Sequence, residues 1–83
     1  MRNQRLLELL SDRRERTAYE LARHERVPES SVRTVARRAH VFGHVLRRLV
    51  RTENPGRPAY FYQISDGGVR RLRYLLRRER EGG

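Results

Sequence analysis

The chain has 83 residues, 36% hydrophobic and 36% charged, enough for one small domain with one modest core. A formal net charge of +10 and a pI near 11.5 point to polyanionic partners, nucleic acid before acidic membrane. Cysteine is absent, which excludes disulfides and thiolate metal sites. No apolar run reaches the roughly 20 residues of a membrane helix or resembles a secretory leader, so an intracellular, cytoplasmic protein is expected.

Arg2 to Ser11 predicts a short amphipathic helix, with Leu6, Leu7 and Leu10 on one face and Leu9 at its flank. Asp12 to Arg16 is a charged connector, although Arg16-Thr17 also suits a one- or two-residue strand against a later hairpin. Thr17 to Gly43 reads as two helices joined by a tight turn. Thr17 caps the first, with Glu20 closing a capping box. Tyr19, Leu21 and Ala22 supply its apolar side, and Val27-Pro28 stops it because proline cannot continue a helix.

The next helix starts around Glu29 or Ser30, and Val32, Val35, Ala36 and Ala39 recur at helical spacing as its buried stripe. Ser30, Thr34 and Arg37 point away from that stripe, flanked by Arg33 and Arg38. Short hydroxyls allow a helix to approach a groove closely, and arginine forks bond guanine edges or clamp phosphates. A solvated basic face on an ordinary helical hairpin is the plainer reading of this stretch taken alone.

Past Gly43, a suitable helix C-cap, the pattern changes. His44 to Glu53 and Ala59 to Ile64 read as two strands around the turn Asn54-Pro55-Gly56-Arg57-Pro58. Phe42, Val45, Leu46, Leu49 and Val50 also fit a continued helix, but the aromatic-rich second run needs a neighbouring strand. Tyr60 and Tyr62 are expected on the inner face, leaving Phe61 as the exposed aromatic. Ser65-Asp66 then caps a final helix to about Arg80, with Val69, Leu72, Leu75 and Leu76 as its apolar side and six arginines along it. Residues 81–83 are expected to be a flexible tail on a domain of residues 1–80.

This order predicts a mainly α fold with a small β-hairpin, α+β in class. Leu21-Ala22, Val27, the Ser30-Ser31-Val32 start and Gly43 resemble the helix-turn-helix of DNA-binding regulators. With the hairpin and the QISDGGVRRL segment, Arg2 to about Arg78 is similar to the winged helix-turn-helix of small MarR-, PadR- and ArsR-type regulators. No long extra helix or effector domain accompanies it, so no small-molecule effector is expected. The resemblance implies sequence-specific binding of double-stranded DNA by a transcriptional regulator. The helix at about 29–42 would enter the major groove and the wing at about 44–64 the adjacent minor groove. Carried over by position, Ser30, Arg33, Thr34 and Arg37 are base readers, and Ser31, Arg38, Arg51, Arg13 and Arg14 contact the backbone, with Arg57 at the wing tip. Such regulators commonly form homodimers, and Val69, Leu72, Leu75 and Leu76 are the candidate interface.

Other chemistry is poorly supported. His40 and His44 lie four apart, but Gly43 falls between them and no carboxylate or cysteine is close, so structural histidines are expected rather than a metal site. No phosphate-binding glycine loop, zincin motif or nucleophile elbow occurs, so neither enzyme activity nor a cofactor is expected. The alternative functions are a non-specific DNA-packaging or RNA-binding protein, and a protein-interaction module of a replication or transcription assembly.

Overall fold

Three leucines of the first helix set the centre of the core. Leu6, Leu7 and Leu10 are fully buried, and Leu21, Val32, Ala36, Ala39, Val45, Tyr62, Ile64 and Leu72 close around them. The computed structural model describes residues 1–50 and 59–82. The elements are α1 (Asn3–Leu9), β1 (Arg16–Thr17), α2 (Ala18–Glu25), α3 (Glu29–Val41), β2 (Val45–Val50), β3 (Ala59–Ile64) and α4 (Asp66–Glu81). Four helices thus pack with a three-stranded antiparallel sheet of order β1-β3-β2.

Local chemistry accounts for most of the boundaries. The Thr17 side chain accepts from Glu20 N at 3.1 Å while the Glu20 carboxylate accepts from Thr17 N at 3.3 Å, completing the capping box on α2. At the end of α3, Gly43 takes φ +76 and donates to His40 O, and His44 N donates to Ala39 O. That pair of bonds is a Schellman closure, and a left-handed residue is its requirement. Arg16 takes the strand option, pairing with Tyr62, and its guanidinium makes two bonds of 2.7 and 2.6 Å to Asp12. That contact, helped by the Arg14 amide, holds the Asp12 carboxyl well below the usual carboxylate range.

Ser65 ties the last helix to the corner between α3 and β2. Its hydroxyl donates to Gly43 O at 2.5 Å and accepts from Gly68 N at 3.0 Å, while its own amide donates to His44 O. From there α4 runs back along α1, joined to the α1 side of the fold by Arg13–Asp66 at one end and Gln4–Glu79 at the other. Among the described residues no helix is long and apolar enough to cross a membrane.

Several expectations need correction. The first helix ends at Leu9, short of Ser11, with Leu10 as its C-cap. Tyr19 is 55% exposed, because Ala18 completes the buried face of α2 with Leu21 and Ala22. Of the five residues that also fitted a continued helix, only Val45 is buried, and β2 pairs with β3 from Val45↔Ile64 to Val50↔Ala59. Phe61 does face away from Tyr62, but Arg48 lies 5.5 Å from its ring centroid and it is half-buried. Phe42, at 72%, is far more exposed. Tyr60 shares the face of Tyr62 yet stays at the surface, since the hairpin runs past the edge of the core.

Candidate nucleic-acid interface

Burial of Val32, Ala36 and Ala39 fixes the rotation of α3 and so turns the opposite side outward. Ser30, Arg33, Thr34, Arg37 and Arg38 are all exposed there, and Ser31 is half-buried at the margin. The Thr34 hydroxyl donates to Ser30 O at 3.0 Å, which commits its proton to the helix and leaves the oxygen as an acceptor. Arg33 lies 4.0 Å from Glu29 Oε1, a long and exposed contact that leaves its fork available. Arg37 and Arg38 form no ion pair among the described residues.

The inner face of the hairpin stands beside this helix. Cross-strand partners share a face, so Arg47 and Leu49 join Tyr62 and Tyr60 on the side that carries Val45 and Ile64 into the core. The Arg47 guanidinium stacks 4.4 Å from the Tyr60 ring centroid, and the Tyr60 and Tyr62 rings are 6.2 Å apart. Burial pushes the Tyr62 phenol above its ordinary value, against the pull of Arg47 from the sheet and Arg33 from α3. Arg47 is the cross-strand partner of Tyr62, and Arg33 shares with that ring a cleft of about 270 Å³ lined also by Tyr19, Glu29 and Tyr60.

The remaining sequence candidates disperse. Arg38 turns to the other flank of α3, where it lines a cleft of about 620 Å³ with Val35, Phe42, His44 and Arg71. His44 stacks on Phe42 with centroids 6.0 Å apart, and burial, then the charge of Arg71, lowers its pKa from the ordinary 6.5. Arg13 pairs with Asp66 at 3.1 Å, and its carbonyl accepts from Gln63 on the sheet face opposite Tyr62, so it does not join the α3 surface. Arg14 is exposed on the same connector. Arg51 and Arg57 lie outside the described residues. On α4, Leu72 belongs to the core and Val69 packs against it, Leu75 is half-buried, and Leu76 is 36% exposed. Among the described residues no group of three or more His, Cys, Asp and Glu side chains could hold a metal ion.

Sequence reasoning missed Arg47 and Tyr60 as a pair. The signal was present: period-two alternation from Val45 puts Arg47 on the same side as Tyr62 once the turn fixes the register. Chemically, the α3 face and the neighbouring hairpin face offer planar arginine donors, hydroxyl groups and an arginine-stacked aromatic. Such groups suit phosphates and base edges. Comparison with known proteins gives no matching family model and no matching curated relative.

Proposed function

We propose that this chain is a winged helix-turn-helix protein that binds double-stranded DNA in a sequence-selective way, acting on the nucleoid as a transcriptional regulator. In this reading α3 enters the major groove and the β2–β3 hairpin lies at the adjacent minor groove. The observation that carries it is the exposed α3 face, where Ser30, Arg33, Thr34 and Arg37 stand together beside Arg47 on Tyr60. Ser30 and Thr34 keep the helix surface low, so the backbone can approach the base edges, and Arg37 projects between them and the C-terminal end. Arg33 and Arg47 flank the cleft as phosphate clamps, and Arg38 holds the backbone on the far side.

The test is a comparison of matched and scrambled duplexes. Duplexes selected from a random pool supply the preferred site. Arg37→Ala is expected to cost about 1–3 kcal/mol on that site and to flatten discrimination at one base position, because only one base pair satisfies a bidentate fork. Its melting temperature should stay near that of the parent, since Arg37 is exposed. An unchanged specificity ratio would remove α3 from the base-reading role.

A homodimer belongs to the same proposal. Leu72 and Val69 are spent on the protein's own core, so the contact falls to the C-terminal half of α4, where Leu75 and Leu76 continue the Leu72 side of the helix. Sedimentation on DNA should then report two 10.0 kDa chains in addition to the duplex mass, with Leu76→Glu reverting this to one. A 10.0 kDa free species at tens of micromolar together with a single chain per bound duplex would reject the dimer.

A further inference from the structure

Away from α3, arginines crowd a second surface. Arg70, Arg73, Arg77 and Arg80 follow one another at intervals of three, four and three residues along α4. At about 100° per residue this spacing keeps all four within about 80° of arc. With a rise of about 1.5 Å per residue they span about 15 Å in nearly a straight line. All four are exposed, and none forms an ion pair among the described residues. Two of the three acids on α4 are engaged elsewhere, Asp66 by Arg13 at 3.1 Å and Glu79 by Gln4 at 2.8 Å, and the third, Glu81, stands in the last turn and forms no ion pair among the described residues.

We propose that this arginine ladder is a second duplex-binding face, so that the protein joins two DNA segments. The inference rests on the reading of the chain as a duplex-binding protein and adds a partner to it. Phosphates of one strand rise about 3.4 Å along the axis while winding around it, so a 15 Å line of guanidinium groups laid along the backbone meets about two or three of them. Arginine forks match phosphate oxygens bidentately, and a helix laid along a backbone reaches no base edges, so this contact is independent of sequence.

A single straight duplex does not serve both faces. Helix α1 packs against α3 and against α4, and the buried residues of both helices, Val32, Ala36 and Ala39 on one and Leu72 on the other, turn into the shared core. Their exposed stripes therefore look outward from different sides of the domain. An acidic bilayer is the weaker partner. A surface-seeking helix needs its apolar side free to enter the acyl region, and the apolar side of α4 begins in the core with Leu72 and packed Val69.

The experiment uses the full chain and two short duplexes of one scrambled sequence, carrying a donor and an acceptor dye. Protein should bring them together and produce energy transfer. The variant Arg70→Gln/Arg73→Gln/Arg77→Gln/Arg80→Gln should abolish the transfer while still holding one scrambled duplex on the α3 face with its salt-sensitive affinity. Glutamine is a good helix former, so the fold should survive, with an unchanged melting curve and retained preference for the selected duplex. The variant Arg33→Gln/Arg37→Gln should do the opposite, losing the preference while keeping a salt-sensitive affinity for any duplex through α4.

Wild-type protein that binds duplex without transfer overturns the ladder and leaves the α3 reading standing. So does a ladder variant that still bridges, as a dimer holding one duplex on each α3 would. If the α3 variant keeps full preference while the ladder variant loses all binding, the α3 reading and the two-duplex proposal both fail, because a single face then carries all the binding. Retention of wild-type protein on phosphatidylserine vesicles, with no transfer between duplexes, overturns the proposal in favour of a membrane surface.

Discussion

Duplex affinity is expected to fall on the order of a thousandfold between about 50 and 200 mM salt. Each phosphate neutralised releases condensed counterions, and the logarithm of affinity drops with slope of about 0.9 per contact. The described surface supplies Arg33, Arg38 and Arg47 for this, and Arg51 and Arg57 follow in the hairpin sequence. Five such contacts give a slope between four and five, roughly. The term is larger than any single base contact the α3 face can offer, which is about 1–3 kcal/mol. Most of the affinity should therefore be electrostatic, with the preference for a site layered on top. Binding isotherms at four salt concentrations, on matched and scrambled duplexes, measure both terms at once. A nearly flat response would sink the DNA-binding reading, because a net charge of +10 cannot approach a polyanion without displacing its ions.

Two kinds of feature differ in how far the sequence exposed them. Those held by local chemistry were legible: the Thr17–Glu20 box, the Gly43 helix closure, the Ser65 cap, and the Leu6-Leu7-Leu10 face. Each depends on residues within four or five positions of one another, so spacing alone carries the information. The exposed face of α3 was legible for the same reason, as the complement of Val32, Ala36 and Ala39. What escaped depends on where the core stops. Tyr19 and Tyr60 carry apolar rings but lie beyond the packed region, and nothing in their neighbours' identities marks that edge. The pairing of Arg13 with Asp66 joins positions far apart in the chain, which no local spacing signals. The meeting of Arg33 and Arg47 around Tyr62 needs the angle between helix and hairpin, which is a tertiary quantity.

That angle leads to the second large effect, in which Gly68→Ala is expected to destabilise the fold by about 3 kcal/mol or more. A Cβ at Gly68 would sit 2.0 Å from His44 O and 2.7 Å from Ile64 Cγ1. The first is backbone immediately before β2, held by the Ser65 amide, and the second is fully buried, so neither can turn aside. Alanine would gain up to about 1 kcal/mol of helix propensity over glycine, well short of the clash. Helix α4 must then lift from the corner, straining the bonds from Ser65 to Gly43 O and His44 O that brace α3 against the hairpin. Gly43→Ala is the informative control. Open space surrounds its Cβ position, so the cost there is the left-handed backbone alone, about 1–2 kcal/mol. At about 4–8 °C per kcal/mol for a domain of this size, thermal melts should separate the two by several degrees. Duplex affinity measured well below either melt should also fall more for Gly68→Ala, because it displaces the brace. A Gly68→Ala protein that melts at or above the parent temperature would mean that α4 is not seated against His44 as described.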